Sequence, residues 1–265
     1  MIAASGMDVF FFRREGKIIS RAWGVSIITA AMVVCLSICE AAPAQKKLIL
    51  NTAFTTPLSN DAQSGFADVI VGEAMRRIGI ELETVRLPAE RALINANAGI
   101  DDGDLLRISG LQASYPNLLQ VPEKIIDLEF VVFTRQARFP VNGWSSLKPY
   151  TVAIITGWKI LERNITDVAG ITKVKTPDQL FMLLLKDRIE TIVYSRWVGL
   201  GYIKQHRLQG IKVLEPPLAR RRMYVYLHKK HRRLVPKLAA ALREVKADGT
   251  YRRIFRKILA PYAEQ

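Results

Sequence analysis

Apolar positions in the first half of residues 45–265 switch between short runs and helical spacing. The run at 47–51 and the run at 105–109 have the length of buried strands, and 81–87 alternates as a strand does. Between them, apolar residues at 66–78 and 89–98 recur every three or four positions, with Gly79 placed to end the first helix. The order strand, helix, strand, helix, strand predicts an α/β domain with a largely parallel sheet.

A second α/β pattern follows residues 135–149, a stretch with two prolines and little apolar periodicity. Strands are predicted at 150–156, 174–175 and 191–194, and a helix at 177–186. A strongly apolar strand at 129–134 precedes this half, and a similar one at 223–228 follows it. We expect these two strands to cross between two lobes, which would bury a ligand in the cleft between them. Amphipathic helices at 234–245 and 251–258 close the chain.

The N-terminal 44 residues have the pattern of a secretory signal peptide. Basic residues precede an apolar run at 22–39, and Ala42-Pro43-Ala44 supplies a small-residue cleavage site. The run is also long enough to act as an uncleaved membrane anchor. Both cysteines, Cys35 and Cys39, lie in this segment, so the mature chain is expected to have neither disulfides nor cysteine metal ligands. We expect a periplasmic protein.

The net charge of +15 is large for 265 residues. A field of that sign attracts anionic ligands, anionic lipid or nucleic acid, and a secretion signal disfavours nucleic acid as the partner. Part of the excess lies in basic runs at 220–222 and 228–233. These runs are interpreted either as solvated faces or as a surface for an anionic partner.

A series of short segments runs along the chain in a fixed order. They include Gly65-Phe66-Ala67-Asp68, Leu87-Pro88-Ala89-Glu90-Arg91, Asp102-Gly103 with Arg107, Tyr115-Pro116-Asn117, Gly157-Trp158-Lys159, Arg188-Ile189-Glu190 and Asp248-Gly249-Thr250-Tyr251. In this order the segments resemble the extracellular solute-binding proteins of family 3, the amino-acid type, which have the type II periplasmic binding-protein fold. The resemblance implies two lobes, each a mixed, mostly parallel sheet flanked by helices, with the ligand cleft between them. It implies lobe 1 from 45–133 and 223–265, and lobe 2 from 134–222.

The resemblance also implies a function. Proteins of this kind capture a small solute without catalysis, close about a hinge, and present the solute to an ABC-type permease or a sensor kinase. The implied solute is an amino acid or a related carboxylate-bearing compound, anionic or zwitterionic, and we expect the protein to act as a monomer. No cofactor is implied.

The chain departs from the family at the expected carboxylate clamp. Amino-acid binders carry a Thr-x-x-Arg motif whose arginine holds the ligand carboxylate, but here 112–117 reads QASYPN. Arg107 and Arg91 are the nearest replacements, because the planar guanidinium of arginine matches a carboxylate. Alternatively, Arg107 pairs with one of the neighbouring aspartates at 101, 102 and 104.

Four further residues are candidates for the ligand site. Phe54 lies in the loop after the first strand, where the family presents an aromatic ring to the ligand, and Trp158 follows a strand end in the second lobe. Tyr194 ends another predicted strand, and Arg196 just beyond it is either a second anion contact or a surface residue. For Phe54, the alternative is loop packing.

Two other functions remain open at this point. An enzyme of dehydratase type could use the same scaffold, and it would need a cleft carboxylate with a raised pKa, for which Glu90 and Asp102 are the candidates. A basic envelope-surface protein would instead bind anionic lipid or polymer. His228 and His231 have a spacing that can ligate a metal, but no third ligand accompanies them, so no metal site is predicted.

Overall fold

The computed structural model describes residues 46–263. The predicted signal peptide at 1–44, with Cys35 and Cys39, lies outside the described residues. Residues Gln45–Gln265 form one compact unit with its own apolar core. None of the helices in the described part of the chain is long and apolar enough to cross a membrane.

The first half folds in the predicted strand and helix order. Its elements are β1 (Lys46–Thr52), α1 (Phe66–Arg77), β2 (Ile80–Arg86), α2 (Ala89–Ala98) and β3 (Gly103–Arg107). β1 pairs in parallel with both β2 and β3. β3 begins two residues earlier than predicted, because Gly103 is drawn into pairing with Leu227 of the last strand.

The second half contains two helices that the sequence pattern did not predict. Its elements are β5 (Thr151–Ile155), α3 (Lys159–Asn164), β6 (Gly170–Val174), α4 (Pro177–Leu185), β7 (Thr191–Ser195) and α5 (Arg196–Gln205). α5 follows the end of β7 directly and contains Gly199 and Gly201, which weaken any helical prediction. Tertiary packing explains these glycines, because a Cβ at Gly199 would lie 2.3 Å from the ring of Phe133.

Two long strands join the halves. β4 (Leu118–Thr134) and β8 (Lys212–His228) have 17 residues each and pair antiparallel, with bulges along their length. β3 pairs with one end of β8, and β7 pairs with the other end of β4. The result is one eight-stranded sheet in the order β2-β1-β3-β8-β4-β7-β5-β6. The predicted strands at 129–134 and 223–228 are thus parts of longer ones.

The C-terminal helices return to the first half. α6 (Val235–Ala247) and α7 (Thr250–Ile258) pack on α1, and a short α8 (Ala260–Ala263) follows. Phe66 of α1 is fully buried and lies edge-on to Tyr251 and Phe255 of α7, with ring centroids 5.3 and 5.9 Å away. The last part of the chain therefore completes the core that its first part begins.

Candidate functional site

Aromatic rings from the two halves of the molecule meet around Trp158. The ring of Phe54, in the loop after β1, lies 6.2 Å from Trp158 in an edge-to-face arrangement. Tyr194 of β7 lies 5.1 Å from Trp158, and Phe130 of β4 lies 5.6 Å from it. The structure thus brings together three of the residues that the sequence singled out. We call Phe54, Phe130, Trp158 and Tyr194 the aromatic cluster.

Local structure explains how the cluster forms. Gly157 has a φ of +92°, a left-handed conformation that favours glycine, and it turns the chain just before Trp158, the N-cap residue of α3. Phe54, Phe130 and Tyr194 are buried, while Trp158 is partly exposed. Burial raises the pKa of Tyr194, and its hydroxyl makes no hydrogen bond with any described residue. The cluster is therefore an apolar surface with an uncommitted hydroxyl.

Phe130 was not among the predicted site residues. It lies in the apolar run that predicts a strand at 129–134, so the sequence favoured a purely structural interpretation. Its register explains its position, because Phe130 pairs with Ser195 on β7, next to Tyr194. Only this pairing of distant strands places the ring beside Trp158.

Arg196 binds two glutamates from the crossing strands. Its Nε donates to Glu129 of β4, and its Nη1 and Nη2 donate to the two carboxylate oxygens of Glu215 of β8 at 2.6 and 2.9 Å. Arg220 of β8 also donates to Glu129, at 2.7 Å. The sequence left two alternatives for Arg196, an anion contact and a surface residue. Its side chain is only 16% exposed, which disfavours the second alternative. Its guanidinium is occupied by the carboxylates of the protein itself.

Arg107 pairs with Asp104, one of the three neighbouring aspartates. Its Nη2 lies 2.8 Å from Oδ2 of Asp104 and also donates to the carbonyl of Ala89, at 3.0 Å. Asp104 is fully buried, and this burial raises its pKa in spite of the adjacent guanidinium. The Nε of Arg107 is buried and has no hydrogen-bond partner among residues 46–263. In Arg107, Nη2 is thus occupied by Asp104 and Ala89, whereas Nε has no partner among the described residues.

Arg91 differs from both of these arginines. It lies in the first turn of α2, is exposed, and forms no ion pair or hydrogen bond within the described part of the chain. Arg107 contacts the start of the same helix through Ala89, and Glu90 accepts a hydrogen bond from the hydroxyl of Tyr115, at 3.1 Å. Of the three candidate arginines, Arg91 alone has its whole guanidinium free for an added anion.

The two carboxylates proposed for an enzyme are both engaged. Asp102 is partly buried, which opposes its ionisation, but the amide of Ile49 and the side chains of Lys230 and His231 donate to it. These hydrogen bonds outweigh burial and lower the pKa of Asp102, the opposite of what a general acid requires. Glu90 accepts from Tyr115 as described above.

A cavity of about 430 Å³ lies where the loop after β1 meets the second half of the chain. Its walls come from 55–61 and Arg86 on one side, and from the start of α4 and the end of α5 on the other. α5 approaches the loop closely here, because a Cβ at Gly201 would lie 2.7 Å from the carbonyl oxygen of Thr56. Among the described residues, no group of three His, Cys, Asp or Glu side chains could hold a metal ion.

Comparison with known proteins supports the fold more strongly than the family. No protein-family model matches the chain. An uncharacterized protein of Shewanella oneidensis is 25% identical over 232 residues, which cover 83% of this chain and 86% of that protein. At this level of identity, the relative indicates a shared architecture but adds no function.

Several solved structures with the same architecture hold a bound amino acid. A putative ABC-transporter binding component from Wolinella succinogenes, complexed with lysine, superposes with a TM-score of 0.69 at 13% identity, covering 82% of this chain and 97% of that one. The GluR0 ligand-binding core from Nostoc punctiforme, in complex with L-glutamate, gives 0.65 at 17% identity, with coverages of 80% and 98%. An ancestral arginine-binding protein bound to arginine gives 0.64 at 18% identity, with coverages of 80% and 97%.

These likenesses confirm the predicted fold class. The chain has the two-lobed type II periplasmic binding-protein fold, with one mixed sheet flanked by helices. Its similarity to family 3 of the extracellular solute-binding proteins stays a resemblance.

Proposed function

We propose that this chain is a non-catalytic solute-binding protein, and that its solute binds between lobe 1 (45–133 and 223–265) and lobe 2 (134–222). The observation that carries the proposal is the contact of Phe54 with Trp158, since these rings come from opposite lobes. A residue pair that meets across a cleft is well placed to enclose a ligand when the lobes move about their crossing strands.

The proposed solute carries a carboxylate and is an amino acid or a related compound. Neighbours of the same fold hold lysine, glutamate and arginine. In this chain, we assign the carboxylate to the exposed Arg91, with the guanidinium of Arg107, whose side chain is 13% exposed, as a second contact. The aromatic cluster contributes an apolar wall, and its rings can also stack on a cationic side chain.

The proposed setting is the periplasm, where a monomer passes its solute to an ABC-type permease or a sensor. This follows from the predicted signal peptide and from solved neighbours that are binding components of ABC transporters. An enzymatic role is disfavoured by the lowered pKa of Asp102 and by the complete burial of Asp104, which prevents its contact with a solute.

The test is a binding screen of residues 45–265, which carry their own core, against arginine, lysine, glutamine, glutamate and small dicarboxylates. A solute at 100 times its Kd stabilises the fold by about 2.7 kcal/mol, which thermal unfolding detects readily. For a compound that stabilises the fold, we expect Trp158→Leu to weaken the affinity by about tenfold, the scale of a lost aromatic or cation–π contact. Trp144→Leu, at another partly buried tryptophan outside the cluster, is the matched control.

Arginine variants test the carboxylate assignment. Arg91→Gln should weaken binding and leave the unfolding free energy unchanged, because this exposed side chain has no partner among the described residues. Arg107→Gln should lower stability as well, because it leaves the buried Asp104 without its cation. If none of the compounds shifts the unfolding temperature, the amino-acid proposal is wrong.

A further inference from the structure

The outward face of α7 is a strip of cations. Arg252, Arg253, Arg256 and Lys257 are all exposed, and their spacing places them on one side of the helix. The other side carries Tyr251, Ile254, Phe255 and Ile258, which pack against the core. The helix is therefore fixed to the protein by its apolar side, which holds the charged side toward solvent. We call the four exposed residues the basic strip.

The basic strip has no carboxylate partner within the described residues. Arg253 donates only to the hydroxyl of Thr250, at 3.2 Å. The nearby Asp248 is already paired with Arg77 of α1, at 2.6 Å. No carboxylate of the described residues thus neutralises these four neighbouring cations, and their mutual repulsion favours an added anion.

The surroundings of the strip favour a lipid surface over a protein partner. Stable protein interfaces are built around apolar and aromatic anchors at their centre. The exposed large apolar residues of the described chain are Ile94, Ile100, Ile108, Ile171 and Met182, and none lies on α6, α7 or α8. A strip of cations without an apolar anchor fits an anionic lipid surface, because such a surface presents many equivalent negative charges.

We propose that the basic strip binds the headgroups of anionic phospholipids and holds the protein at a membrane surface. Each lysine or arginine near such a surface contributes about fivefold to the partition coefficient. The interaction is electrostatic and lies outside the aromatic cluster, so it goes beyond solute capture and does not depend on it.

The experiment measures co-sedimentation of residues 45–265 with two kinds of vesicle, phosphatidylglycerol mixed with phosphatidylcholine and phosphatidylcholine alone. The test variant is Arg252→Gln/Arg256→Gln/Lys257→Gln. The matched control is Lys173→Gln/Lys175→Gln/Lys186→Gln, which removes three exposed charges from the other half of the molecule. Circular dichroism verifies that both variants keep the helical content of the wild type.

We expect binding to the anionic vesicles only, with affinity falling as salt is added. The strip variant should lose about 100-fold in partition coefficient, and the control variant should stay within a few-fold of the wild type. An equal loss in both variants would overturn the proposal, since binding would then follow net charge alone. Failure to bind the vesicles that contain phosphatidylglycerol would also overturn it.

Discussion

Substitution of Arg196 separates a structural role from a ligand role for this residue. Its guanidinium joins Glu129 on β4 to Glu215 on β8, the two strands that connect the lobes. Arg196→Gln removes the charge and keeps a shorter, polar side chain. We expect the variant to lose stability and to keep its affinity for the solute, because the guanidinium is already occupied.

The expected loss in the free energy of unfolding follows from how exposed Arg196 and its two glutamate partners are. The side chains of Arg196 and Glu129 are 16% and 19% exposed, so their charge-assisted hydrogen bond contributes about 1.5–2 kcal/mol. Glu215 is 58% exposed, and a pair of that kind is worth about 0.5 kcal/mol. We therefore expect a total loss of about 2 kcal/mol, or about 4–8 °C in Tm for a domain of this size.

The assay is urea unfolding at pH 7, followed by tryptophan fluorescence. Arg220→Gln is the control, because Arg220 is 66% exposed and its one ion pair within residues 46–263 is with Glu129, so its loss should cost under about 0.5 kcal/mol. Equal effects of the two substitutions would refute the reasoning from burial. A solute affinity that falls with Arg196→Gln, at unchanged stability, would restore Arg196 as an anion contact.

Two further predictions concern close packing and pH. Gly103→Ala should lower the free energy of unfolding in urea by about 3 kcal/mol, because the new Cβ would lie 2.0 Å from the carbonyl oxygen of Tyr226. Gly72→Ala is the control and should be neutral or stabilising, because nothing lies nearer than 4.0 Å to its new Cβ. Similar losses in the two variants would contradict the close approach of β3 to β8. Hydrogen bonds from Arg76 and its neighbour lower the pKa of Glu73 from 4.5 to about 2. The stabilisation by Glu73 is therefore present above pH 4.5 and is lost as the pH falls toward 2. Glu73→Gln should lower the free energy of unfolding at pH 7, and this effect should be smaller at pH 3. An effect that is the same at both pH values would contradict this ion pair.

Local signals fixed several elements well. α2 occupies 89–98 as predicted, because Pro88 precedes it and Gly99, with a φ of +75°, ends it in a left-handed conformation. β1 and β2 match their predicted spans within a residue or so, since continuous or alternating apolar runs are visible in the chain itself.

Elements that depend on distant partners were predicted only in part. The first eleven residues of β4 escaped prediction because they mix charged residues and a proline with apolar ones, and their extended conformation is set by bulged pairing with β8. α5 escaped because its two glycines are unfavourable in an isolated helix, while the packed structure needs them where Phe133 and Thr56 approach.

The sequence by itself determined the order of strands and helices in the first half and the aromatic residues at the strand ends, because both follow from local spacing. Phe54, Trp158 and Tyr194 could be selected for that reason, although Phe130 could not. Only the tertiary structure decided how each arginine is used. Arg196 pairs with a carboxylate 67 positions away, Arg107 pairs with the buried Asp104, and Arg91 pairs with no side chain of residues 46–263. Charge pairing depends on distance and burial in space, and neither can be read along the chain.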